Sequence, residues 1–162
     1  MQAVERPLRI SIAGPGEASP AEAALAEETG RLVGRKGWIL VCGGLGGVME
    51  AACRGAASSG AITVGLLPGS DPDSANPHVL VPIPTGLGEA RNTLVAGACD
   101  ALIAIGGRLG TLSEIALALR RGVPVVGLET WRLDPALVQP FVFHRALSPA
   151  EAVELAGRLA RR

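Results

Sequence analysis

At 162 residues, with 48% apolar side chains and a formal net charge of zero, the chain has the size of one domain and enough length to bury a core. Balanced charge and 2% aromatic residues speak against nucleic-acid binding by counterion release or base stacking. No apolar run reaches the roughly 20 residues of a membrane span, and the opening MQAVERPLRISIAG is too short and too charged for a secretion signal, so a cytoplasmic location is expected.

In chain order, LRISIA (8–13) reads as a buried strand that ends at Gly14-Pro15-Gly16. Ser19 and Pro20 then open a helix, as N-cap and first helical residue, that runs to about Lys36. WILVCGG (38–44) is a second strand, GGVMEAACRGAASSG (46–60) a helix of small residues, and AITVGLL (61–67) a third strand. The Pro/Ser/Asp-rich stretch 68–78 reads as a loop that overhangs a site. VLVPIP (79–84) is a short strand weakened by its prolines. Residues 86–99 read as a helix, DALIAIGG (100–107) as a strand, and 110–121 as a helix closed by Gly122. VPVVGLE (123–129) is another strand, 131–143 is ambiguous, and 148–162 is a closing helix with a second Ser-Pro start. Strands and helices alternate throughout. The expected fold is α/β: a single Rossmann-like, doubly wound domain over residues 1–162, with a mainly parallel sheet flanked by helices. Such sheets bind ligands outside the carboxyl ends of their strands.

Cys42, Cys53 and Cys99 form no CxxC pair, and His78 and His144 lack metal-ligand spacing, so no disulfide framework and no metal site is expected. Four stretches carry candidate chemistry. In CGGLGGVME (42–50), Gly43, Gly44, Gly46 and Gly47 sit between a strand and a helix start, as in a phosphate cradle or a tight packing turn. It matches neither a Walker loop nor a dinucleotide fingerprint. Gly14 and Gly16 form either a second such cradle or a plain turn. Arg91 and Asn92 lie in the first turns of the 86–99 helix, where an arginine either forks onto a phosphate or stays solvated. In AIGGRLGTLSEIALAL (104–119), Gly106, Gly107 and Gly110 allow close approach, and Thr111 can donate to an anion. Glu114 has two readings: a catalytic carboxylate, or the acid of a capping box with Thr111 as N-cap. All these segments are expected to converge on one edge of the sheet, with the 68–78 loop nearby.

GGLGGVMEAA, GEARNTLVAGACDALIAIGGRLGTLSEIALAL and GVPVVGL together resemble the Lonely Guy-like group, which has also carried a lysine decarboxylase label. The resemblance spans roughly residues 8 to 160 and is strongest to a short-chain branch that includes molybdenum cofactor carrier proteins. It implies a Rossmann-like fold and a dimer or larger homo-oligomer. The apolar faces of helices 87–99 and 110–121 point the same way. It also implies cleavage of nucleoside 5′-monophosphates to free base and ribose 5-phosphate. Gly107, Gly110, Thr111 and Glu114 fall on the group's P-G-G-x-G-T-x-x-E signature, and Arg91 on its helix arginine. Gly106 replaces the proline, Arg108 replaces a glycine, and Glu89-Ala90-Arg91-Asn92 replaces an Arg-Lys pair. On this resemblance Arg91 and Glu114 are catalytic. The glycines, Asn92, Arg108 and Thr111 hold the phosphate of a small ligand, and no cofactor is needed. The alternative is a carrier that holds a phosphorylated ligand, such as molybdenum cofactor or a nucleotide, without cleaving it. Lys36 is the only lysine, and no pyridoxal-binding lysine is apparent, so decarboxylase chemistry has little support.

Overall fold

Seven short, mostly apolar strands carry the architecture of the computed structural model, which describes residues 6–160. The first five residues of the charged start and the last two of the closing helix lie outside the described residues. The strands are β1 (Arg9–Ala13), β2 (Ile39–Cys42), β3 (Thr63–Leu67), β4 (Val81–Pro84), β5 (Ala101–Ile105), β6 (Val125–Leu128) and β7 (Phe143–Ala146). They form one all-parallel sheet in the order β4-β3-β2-β1-β5-β6-β7. β1 pairs with β2 from Arg9↔Ile39 and with β5 from Ile10↔Ala101. The chain thus winds outward from β1 to one edge, returns, and winds to the other. The crevice beside the carboxyl end of β1, where the winding reverses, is the ligand position in such sheets. The fold is a single Rossmann-like α/β domain, and no helix among the described residues is long and apolar enough to cross a membrane.

The helices are α1 (Pro20–Arg35), α2 (Val48–Ser58), α3 (Asn92–Gly97), α4 (Leu109–Arg120), α5 (Pro135–Val138) and α6 (Pro149–Ala160). α1 starts where the Ser-Pro pair predicts. The Ser19 hydroxyl accepts from the Glu22 N–H at 3.2 Å, and the Glu22 carboxylate accepts from the Ser19 N–H at 2.8 Å. This reciprocal pair satisfies two donors that a helix start otherwise leaves free. α1 and α2 pack backbone to backbone on one face of the sheet. A Cβ on Gly30 would lie 2.0 Å from the Ala52 carbonyl oxygen, and one on Gly55 would lie 1.9 Å from that of Glu27. Helix propensity alone predicts that Gly30→Ala stabilises by about 1 kcal/mol. The contact predicts the opposite: the helices must part, at a net cost of roughly 1–3 kcal/mol. Urea unfolding decides the sign.

Two expectations are corrected. The helix expected over 86–99 is a 3-10 turn at Gly88–Arg91 followed by the short α3, because Gly86 and Gly88 take φ of 65° and 56°, outside the helical region. The N-cap of α4 is Arg108 rather than Thr111, so Thr111 and Glu114 lie inside the helix and form no capping box. The ambiguous stretch 131–143 holds α5 and the first residue of β7, an edge strand whose FHRA sequence has no β-branched residue. The free Cys42 and Cys53 thiols meet in the core at 3.5 Å.

Candidate functional site

Loops from the carboxyl ends of β1, β2, β3 and β5 surround a cavity of about 420 Å³, within the range typical of small-ligand sites. Gly14 and Gly16 line it from the β1 loop, Arg91 and Asn92 from the β4–β5 connection, and Arg108, Gly110, Thr111 and Glu114 from the start of α4. Leu45 and Met49 add an apolar wall and Glu89 a further acid. These three were not singled out in the sequence. Leu45 and Met49 were hidden in a glycine motif, where attention falls on the backbone.

Gly43, Gly44, Gly46, Gly47 and Gly107 do not line the cavity. Three of them pack behind it. A Cβ on Gly44 would lie 2.7 Å from Leu67, and one on Gly47 would lie 2.3 Å from the Pro15 carbonyl oxygen. A Cβ on Gly107 would lie 2.9 Å from the Trp131 ring. Gly46 lies beside the β1 loop, its Cβ position 3.2 Å from the Gly16 carbonyl oxygen. The Val48 N–H donates to the Pro15 carbonyl at 3.0 Å, which ties the two glycine loops together. The 68–78 loop is pinned on top. Its Asn76 donates from the backbone to the Gly44 carbonyl and from the side chain to the Leu45 carbonyl, both at 2.9 Å.

Gly43 has a more specific task. A Cβ there would lie 2.0 Å from Arg91 Nη1, so the guanidinium occupies the space a side chain would take. Arg91 is 8% exposed, and its buried Nε has no hydrogen-bond partner among the described residues. Burial pushes its pKa down, while Glu114 and Cys42 push it up. Glu114 is 6% exposed and faces the same cavity. Burial raises its pKa to about 7, against the attraction of Arg91. The two charges act on each other through space, without a direct hydrogen bond. Thr111 Oγ1 is likewise buried and unpartnered. Buried polar groups left open in this way are uncommon, and these two belong to residues that line the cavity. Asn92 donates to the Ser113 hydroxyl at 3.1 Å, and Ser113 to the Gly110 carbonyl at 3.0 Å, which braces the first turn of α4. The cavity therefore offers a desolvated arginine, an open hydroxyl and a helix start on one side, a titratable carboxylate beside them, and an apolar wall. That set suits an anion attached to a flat, apolar body.

The SLOG cluster4 family model matches residues 7–155. A molybdenum cofactor binding protein from Rippkaea orientalis is 37% identical, with 96% of this chain and 98% of that chain covered and a TM-score of 0.86. The molybdenum cofactor carrier protein of Chlamydomonas reinhardtii is 34% identical, with 97% of this chain and 100% of that chain covered and a TM-score of 0.85. An uncharacterised protein of Archaeoglobus fulgidus is 42% identical over 122 residues, which is 75% of this chain and 80% of the relative. With the family match running from before β1 into α6, the chain belongs to the SLOG cluster4 family.

Proposed function

We propose that this protein is a cytoplasmic homo-oligomeric carrier of a phosphorylated pterin-type ligand, with molybdenum cofactor as the candidate cargo. The observation that carries the reading is Arg91: a guanidinium held nearly dry in a ligand-sized cavity, with a buried N–H that nothing among the described residues accepts. A phosphate monoester supplies the missing charge and acceptor. Thr111 and the start of α4 add donors, Arg108 adds a second cation at the rim, and Leu45 and Met49 accept the flat ring. The likeness to two molybdenum cofactor binding and carrier proteins supports this choice of cargo.

One observation favours a second reading, nucleoside monophosphate phosphoribohydrolase activity. Glu114 sits beside Arg91 in the cavity with a pKa of about 7, a value suited to a catalytic carboxylate. The test runs both readings on one sample. The carrier reading expects the purified protein to retain molybdenum cofactor, detected as fluorescent oxidised pterin, and to release no base from a panel of nucleoside monophosphates in single-turnover assays. Base release that disappears in Glu114→Gln would transfer the assignment to the hydrolase. Light scattering that gives a monomer at micromolar concentration would remove the homo-oligomer from the proposal.

A further inference from the structure

Trp131 lies outside the cavity, yet three contacts aim it at the cavity's rim. The turn from β5 to α4 runs Gly106-Gly107-Arg108, with φ of 62° and 150° at the two glycines. One face of this turn rests on α1: a Cβ on Gly106 would lie 2.2 Å from Glu22 Oε1. The other face rests on Trp131, whose Cδ1 and Nε1 lie 2.9 Å from the Cβ position of Gly107. The Trp131 indole N–H donates to the Arg108 carbonyl at 3.2 Å, and that carbonyl also accepts the first helical N–H of α4, from Leu112, at 3.0 Å. Trp131 is itself held, since Arg145 of β7 donates to its carbonyl at 3.3 Å. The Arg108 side chain, exposed at the cavity rim, makes no hydrogen bond or ion pair among the described residues.

A flexible, positively charged side chain on a two-glycine turn loses affinity to its own disorder. Clamping the turn lowers the entropy lost when a ligand binds. We infer that Trp131 is a positioning residue, which clamps the Gly106–Arg108 turn so that Arg108 and the first N–H groups of α4 meet the ligand phosphate already aligned. This rests on the proposed phosphate site. It adds an element from the far side of the sheet, because β7 and the β6–α5 connection thereby reach the ligand without touching it.

A space-filling role and a positioning role separate in two measurements. The first is calorimetric binding of AMP, a phosphate monoester common to both functional readings. Trp131→Phe keeps most of the ring and loses the N–H, so affinity is expected to fall roughly 3- to 10-fold, the worth of one hydrogen bond. Arg108→Ala is expected to weaken binding by a similar factor. In the Arg108→Ala background, Trp131→Phe is expected to cost less affinity than in wild type, because the part of its effect that passes through Arg108 is already lost. Full, multiplicative losses in the double variant would overturn the proposal, and so would wild-type affinity in Trp131→Phe. The second measurement needs no ligand. Amide hydrogen exchange across 106–112, read by mass spectrometry, is expected to quicken several-fold in Trp131→Phe while exchange in α1 stays unchanged. Equal exchange in wild type and variant overturns the proposal whatever binds the cavity. A wild-type protein that binds neither AMP nor molybdenum cofactor but shows the exchange difference would sink the phosphate reading and leave the clamp standing.

Discussion

Arg91→Ala is expected to weaken binding of a phosphate monoester by roughly 10²-fold or more, because removing one partner of a buried, hydrogen-bonded charge pair costs about 2–5 kcal/mol. The guanidinium is nearly dry before the ligand arrives, so its desolvation is already complete and the ligand's attraction to it is little screened. Two further variants separate charge from packing. Arg91→Met retains much of the aliphatic stem over Gly43 and should bind as poorly as alanine, with less loss of stability. Gly43→Ala leaves Arg91 in the chain but puts a Cβ 2.0 Å from Nη1, so it should expel the guanidinium and lose affinity in the same direction. Calorimetric titration with AMP and with molybdenum cofactor measures all three. Wild-type affinity in Arg91→Met would place the phosphate elsewhere.

Glu114→Gln is expected to make the protein more stable above neutral pH. Glu114 has a pKa of about 7 in the folded protein against an ordinary glutamate value of 4.5. A raised folded pKa means that the native state holds the proton more tightly than the unfolded chain. Its contribution to stability is complete below the unfolded value and is lost as pH rises through about 7. The difference between the two pKa values corresponds to about 3 kcal/mol at 1.36 kcal/mol for each pH unit. Glutamine carries no such dependence. Unfolding free energy for the variant minus that for wild type should therefore grow by about 3 kcal/mol between pH 4.5 and pH 8, while groups common to both proteins cancel. A difference flat with pH would mean that the carboxylate is solvated and does not face Arg91 in a dry cavity. The same linkage reaches the ligand. A phosphate dianion bound near Glu114 disfavours its charged form, so binding takes up a proton near neutral pH, and Glu114→Gln removes that uptake.

Alternating strands and helices could be read from the chain because the interactions that decide them are local. Ser19 finds Glu22 three residues away, and the apolar runs that become β1, β5 and β6 declare themselves within five residues. The glycine junctions and the pair Arg91 and Glu114 were also legible as candidates, since glycines after a strand and polar residues at a helix start are visible in one dimension. What they do there was not. Gly43 and Arg91 lie 48 residues apart, and only the pairing of β1 with both β2 and β5 stacks one on the other. The start of α4 was misread for a related reason. The Thr111–Glu114 spacing fits a capping box, but the Gly106–Arg108 turn is gripped by Glu22 and Trp131, and that grip starts the helix at Leu109. Starting there turns Glu114 into the cavity, where burial raises its pKa. Local chemistry determined the elements; contacts between residues far apart in the chain decided which backbone turns pack, which charges lose their water, and so where a ligand can bind.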